Sequence, residues 1–138
     1  MQINLLVAWA GMLLGFLSGL ALGLGFHRED WLGGYGSFTR RLYRLAHISF
    51  FGLGAVNFFF YVTARAMPPG TLLALASSAF IAGAITMPIC CLIMAHFPNT
   101  RSLFALPVFS LITGGALTLA AIYSAPSASL NAQLSTLN

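Results

Sequence analysis

The sequence predicts an all-α integral membrane protein with four transmembrane helices in an antiparallel bundle, both termini on the non-cytoplasmic side. Three observations carry this expectation. Of 138 residues, 59% are hydrophobic and 6% charged, too few polar groups to clothe a water-soluble surface. Four stretches reach the roughly 20 apolar residues that a bilayer crossing needs: Leu5 to Phe26, Leu45 to Thr63, Thr71 to His96 and Leu103 to Tyr123. The six basic residues, all arginine, are divided unevenly between the connections.

The first span has no basic segment ahead of it and no small-x-small cleavage site standing clear of it, so it is expected to stay in the mature chain. Gly11, Gly15, Gly19 and Gly23 recur every fourth residue and lay a backbone groove along one helix face. Lipid offers helices no hydrophobic drive to associate, so close backbone contact at small residues does that work. The groove is expected to seat another helix, with a flat pigment, haem or lipid as the other candidate occupant. Ser18 and Ala21 widen the small surface, while Leu13, Leu17, Leu20 and Leu24 face lipid or a partner.

Residues His27 to Arg41 form the only connection large enough to have structure of its own, and Gly33, Gly34 and Gly36 argue against a regular helix there. Ser37 or Thr39 is a candidate cap for the second helix. The loop also holds Glu29 and Asp30, the only two carboxylates, as a salt-bridge cluster, a loop cap, a proton entry point or plain solvated charges. In the second span His47, Phe50, Gly54, Asn57 and Tyr61 fall within about 80° of one another on a helical wheel. Asn57 is expensive to leave facing hydrocarbon, so it is expected to bond across a helix interface.

Pro68 and Pro69 make the connection of Arg65 to Gly70 a tight turn, and Pro98 and Asn99 break the chain between the third and fourth spans. Pro88 should kink the third span, with Thr86 near the freed carbonyl. Its stripe of Ala76, Ala79, Gly83, Thr86 and Cys90 is expected to pack on the glycine face of the first span. Cys90 and Cys91 point about 100° apart on a helix and are not expected to pair. The fourth span carries Pro107, Ser110, Thr113, Gly114 and Thr118 and nothing that titrates near neutrality. Residues 1–124 thus read as one transmembrane domain and 125–138 as a polar tail.

Arg28, Arg40, Arg41 and Arg44 lie at the first connection and Arg101 at the third, whereas Arg65 stands alone at the second. Arginine bias marks the cytoplasmic side, which places both termini outside a bacterial inner membrane. Trp31, Tyr35 and Tyr43 suit an interfacial belt on that side, and Trp9 and Tyr123 the other. The basic loop also suits anionic lipid. Nucleic acid is not an expected partner.

The same topology brings His27, His47 and His96 to one side as candidate metal ligands. His47 and His96 could hold a b-type haem whose propionates meet Arg44, Arg101, Arg40 or Arg41, since imidazole is a common ligand of haem iron. Met87, Cys91 and Met94 share a face of the third span and suit copper less strongly. The segment Arg44 to Tyr61, RLAHISFFGLGAVNFFFY, loosely resembles helices of small four-span bacterial proteins that handle haem. The resemblance covers one helix of four, and the other spans lack the further intramembrane histidines of such proteins. No acid lies within a span, which counts against a proton-coupled transporter. No nucleophile stands beside a base and no phosphate loop is present, so an enzyme is not expected. The expected function is a non-catalytic small subunit or assembly factor of a larger membrane complex, electron transfer being the class the histidines favour. A haem or metal protein using His47 and His96 is the first alternative, and a small transporter or channel lined by Asn57 and the Ser/Thr positions the second.

Overall fold

The computed structural model describes the backbone of residues 2–135 and, within them, the side chains of residues 2–125 apart from Pro98. The described chain is helical and carries no strand: α1 (Gln2–Gly25), a short 3₁₀ turn (Trp31–Gly33), α2 (Phe38–Arg65), α3 (Thr71–His96), a 3₁₀ segment (Pro98–Phe104) and α4 (Ala105–Ser135). Four helical stretches are long and apolar enough to cross a membrane. That is the architecture of an integral membrane protein.

Helix α2 starts at Phe38, well ahead of the apolar stretch that opens at Leu45. Ser37 is the cap: its hydroxyl oxygen accepts from the Arg40 amide at 3.1 Å, and the arginines of the first turns are good helix formers. Thr39, the other candidate cap, instead donates to the Ala95 carbonyl at 3.3 Å and ties α2 to the end of α3. Helix α3 runs unbroken across Pro88, and Thr86 donates to Ala82 rather than to the carbonyl the proline frees. Helix α4 continues to Ser135, beyond the apolar stretch. The side chains of the expected polar tail past residue 125 lie outside the described residues.

The helices form a row rather than a closed bundle. Helix α1 packs on α2, α2 on α3 and α3 on α4, while among the described residues α1 and α4 make no substantial contact. Glycine decides the first of these contacts. A Cβ on Gly11 would sit 2.9 Å from the Phe50 carbonyl oxygen, and one on Gly54 would sit 3.0 Å from that of Ala8, so the two backbones meet directly. Farther along, the Phe51 ring covers Gly15 and the His47 ring covers Gly19, whereas Gly23 has open space beside it. The glycine groove of the first span is therefore filled by α2 over three of its four positions.

The stripe on α3 has a different partner from the one its small residues suggested. Gly83 takes the Leu111 side chain of α4, where a Cβ would lie 2.5 Å from Leu111 Cδ2. Ser110 of α4 donates to the Ala79 carbonyl at 2.7 Å, and Cys90 makes a 3.5 Å contact to the Leu103 carbonyl. Small residues permit close approach without naming the partner, and the short connection to α4 delivers that helix first. Two apolar clusters lie toward opposite ends of α2. Phe60, Ala64, Leu73, Ala76, Phe80 and Ala121 join α2, α3 and α4. Leu42, Met94 and Ala95 join α2 to the end of α3.

These contacts separate glycines that look alike in the sequence. Gly11→Ala should lower helix-bundle stability in detergent by about 1–3 kcal/mol, because its Cβ meets a backbone carbonyl that cannot move aside. Gly23→Ala should leave stability unchanged. Reversible denaturant titration of both variants measures the difference, and equal effects would contradict the packing described.

Candidate functional site

Polar side chains inside the apolar helices gather at three places. The first is a knot of Asn4 in α1, Asn57 in α2 and Ser77 in α3. Asn4 Nδ2 donates to Asn57 Oδ1 at 2.9 Å, and the Ser77 hydroxyl donates to Asn4 Oδ1. Asn57 Nδ2 in turn donates to the carbonyls of Leu53, at 2.9 Å, and Phe80, at 3.4 Å. Both asparagines are fully buried. Each amide oxygen and nitrogen already has a partner, so the knot holds helices together and offers nothing to a passing solute. Asn57 occupies the packing position its place in the span suggested. Asn4 was not singled out, because an asparagine just ahead of an apolar run reads as an ordinary helix start.

The second place is His47, a turn and a half inside the arginine-rich end of α2. Its Nδ1 lies 2.9 Å from the Ser18 hydroxyl, its ring stands edge-on to Phe51 at 5.4 Å, and Gly19 makes the room it occupies. A Cβ on Gly19 would come 2.9 Å from His47 Cε1. Beside the imidazole is a cavity of about 230 Å³ between α1, α2 and α3, with Ser18, Trp31, Tyr43, His47, Phe50 and Leu92 in its wall.

The third place is the arginine end. Arg40 is buried, 4% exposed, with its guanidinium carbon 5.4, 5.7 and 5.2 Å from the ring centres of Phe26, Trp31 and Tyr35. Its Nε has no hydrogen-bond partner. Stacking on aromatic faces is worth about 2 kcal/mol or more when desolvated, and three faces replace much of the hydration this charge gives up. The loop that supplies two of those rings is tightly wound. Leu32, Gly33 and Gly34 all have positive φ, at 55°, 82° and 89°. A non-glycine residue in that region costs on the order of 1–3 kcal/mol, and here the Ser37 hydroxyl donates to the Leu32 carbonyl while capping α2. Trp31 folds back on Gly25, where a Cβ would fall 2.5 Å from the indole. Arg44 stacks on the other approach to Tyr35, at 4.8 Å.

No family model matches the chain, and no curated protein or solved structure shows significant similarity to it.

Of the residues the sequence marked for chemistry, His47 and His96 each carry an internal hydrogen bond. His96 is exposed, and its Nε2 lies 2.9 Å from the Tyr43 hydroxyl, one turn before His47 on α2. His27 is exposed in the turn after α1. Among the described residues no three or more His, Cys, Asp or Glu side chains are placed to hold a metal ion, so the three histidines do not converge. Met94 is committed to the cluster with Leu42, and Cys90 and Cys91 are free thiols in the packed core. Arg101 stacks on Phe38 at 5.4 Å. Glu29 and Asp30 are exposed, and the Asp30 side chain makes no cap hydrogen bond to the 3₁₀ turn. The sequence marked Arg40 as a topology charge. Its burial was hidden because the rings that enclose it sit at irregular intervals in a loop.

The cage makes a prediction for the loop. Arg40→Ala should loosen residues 26–37 and speed tryptic cleavage after Arg28 about tenfold, the factor that a loss of about 1.4 kcal/mol in local opening gives. Arg40→Lys should fall between. Cleavage rates in mild detergent, followed by mass spectrometry, provide the measurement, and identical rates in all three proteins would contradict the cage.

Proposed function

We propose that the chain is a non-catalytic integral membrane subunit or assembly factor that sits against other membrane proteins of a bacterial inner-membrane complex. The observation that carries this reading is the open row. Only 17% of the most apolar part of α1 and 11% of that of the fourth stretch, Asn99–Ala125, is buried, against 33% for α2 and 39% for α3. Lipid can cover such faces, but the row also leaves concave gaps. One of about 320 Å³ lies between α1 and α3, beside Ala10, Leu14 and Pro88. Another of about 320 Å³ lies between α2 and α4, beside Phe59 and Gly115. Shallow grooves flanked by small residues are the surfaces on which membrane helices pack.

The helices are taken to cross in alternating directions with both termini outside. Contacts between α1 and α2 run in opposite numerical order, Asn4 with Asn57, Gly11 with Phe50 and Gly19 with His47. The Arg101–Phe38 stack and the Thr39–Ala95 hydrogen bond bring the first and third connections together. Arg28, Arg40, Arg41, Arg44 and Arg101 then share one end, which the arginine bias assigns to the cytoplasm and to contact with anionic lipid. Electron transfer remains the favoured class on the strength of His47 and His96. A haem held between those two imidazoles would have to displace Tyr43 from Nε2 of His96. The internally satisfied knot around Asn57 gives a solute pathway no support.

Gentle extraction from the native membrane tests the subunit reading. The chain should run on a native gel far above its own 14.7 kDa, with other membrane proteins retained in fixed stoichiometry through a second purification step. Migration as a lone protomer under the same conditions would overturn it.

A further inference from the structure

The hydrogen bonds around His47 define which of its nitrogens is free. Ser18 has one hydroxyl proton, and its Oγ donates that proton to the Gly15 carbonyl at 3.0 Å. A carbonyl can only accept, whereas Nδ1 can carry a proton of its own, so the arrangement that satisfies all three groups has Nδ1–H donating across the 2.9 Å contact to Ser18 Oγ. This leaves the Nε2 lone pair bare. Among the described residues Nε2 has no partner. It is not sealed off either, since among the described residues Arg40 Nε is the one buried side-chain nitrogen or oxygen without a partner. A bare acceptor in an otherwise apolar wall gains from any donor that reaches it.

We infer that the cavity between α1, α2 and α3 binds the hydroquinone headgroup of a membrane quinol, with a ring hydroxyl donating to His47 Nε2. Four features select this class. The ligand needs a donor, because the free group is an acceptor. Its body must be apolar and flat, because Trp31, Tyr43, Phe50 and Leu92 line the wall. The space, about 230 Å³, is smaller than the roughly 300–1,000 Å³ of sites that enclose a whole drug-sized ligand. It suits one substituted six-membered ring whose tail stays in the bilayer. Finally, Tyr43, held by the bond of its hydroxyl to His96, keeps its ring in the same wall. The inference concerns binding alone, and it holds whether or not other chains cover α1 and α4.

The test uses the full chain in phosphatidylcholine nanodiscs with ¹⁵N-labelled histidine, titrated anaerobically with decylubiquinol and separately with decylubiquinone. The expected result is saturable binding of one quinol per chain. The His47 Nε2 resonance should begin at the unprotonated position and move on titration as it accepts a hydrogen bond. The quinone, which has no donor, should bind about tenfold more weakly. His47→Phe keeps a ring over Gly19 and should abolish saturation, and Ser18→Ala should weaken binding several-fold by releasing the tautomer. Unchanged affinity in either variant would overturn the assignment. So would a protonated Nε2 in the ligand-free protein, or non-saturating partition of quinol and quinone alike. A Soret band on adding haem that His47→Phe removes would transfer the imidazole to iron and equally overturn it. Should His47→Phe fail to fold, the wild-type resonance and Ser18→Ala decide the matter.

Discussion

The knot of Asn4, Asn57 and Ser77 fixes the register of the first three helices. In hydrocarbon every polar group must find its partner inside the protein, so an asparagine there tolerates few helix positions. Sliding α1 along α2 by one turn, about 5.4 Å, would carry Asn4 away from Asn57 and strand amides that are fully buried. With the knot tied, the rest of the interface follows from spacing. Gly11 comes opposite Phe50 and Gly54, Gly15 under Phe51, and Ser18 and Gly19 against His47. The imidazole thus owes its place beside Ser18 and Gly19 to a hydrogen bond near the start of α1.

A second constraint acts at the opposite end, where Arg40 is held by rings instead of by an anion. A guanidinium suits this better than an ammonium, because it is planar and more weakly hydrated. The cage fastens the loop between α1 and α2 down onto α2, so Trp31 is available both to Arg40 and to the wall of the His47 cavity. Loop, cage and cavity therefore form one unit, and the positive φ of Leu32 is the backbone cost of folding the loop over them. The outer faces of α1 and α4 are left apolar and uncommitted, as expected of helices in a lipid surrounding.

Hydropathy made the four spans legible, because the bilayer imposes a length that composition alone can meet. The glycines of α1 and the asparagine of α2 were legible for a related reason: small or polar residues in a span have few uses besides helix contact. Partner choice was not legible. The stripe on α3 looked suited to the glycines of α1, yet Gly83 receives Leu111 of α4, because connection length and the shape of the larger side chain decide between equally small faces. Asn4 was missed at the edge of an apolar run, where capping is the usual reading. The start of α2 was missed because a hydropathy window follows the membrane, while a helix follows its cap. The three histidines were expected together but do not converge, and the hydrogen-bond partners of His47 and His96, Ser18 and Tyr43, depend on register.

A double-mutant cycle on Asn4→Ala and Asn57→Ala, read by reversible unfolding in detergent or bicelles, tests the role of the knot most directly. A hydrogen bond between them that sets register should appear as a coupling energy of about 1 kcal/mol, within the range found for interhelical bonds in membranes. The ¹⁵N signature of His47 should also be disturbed in each single variant. Additive effects with no coupling, and an undisturbed His47, would contradict the account.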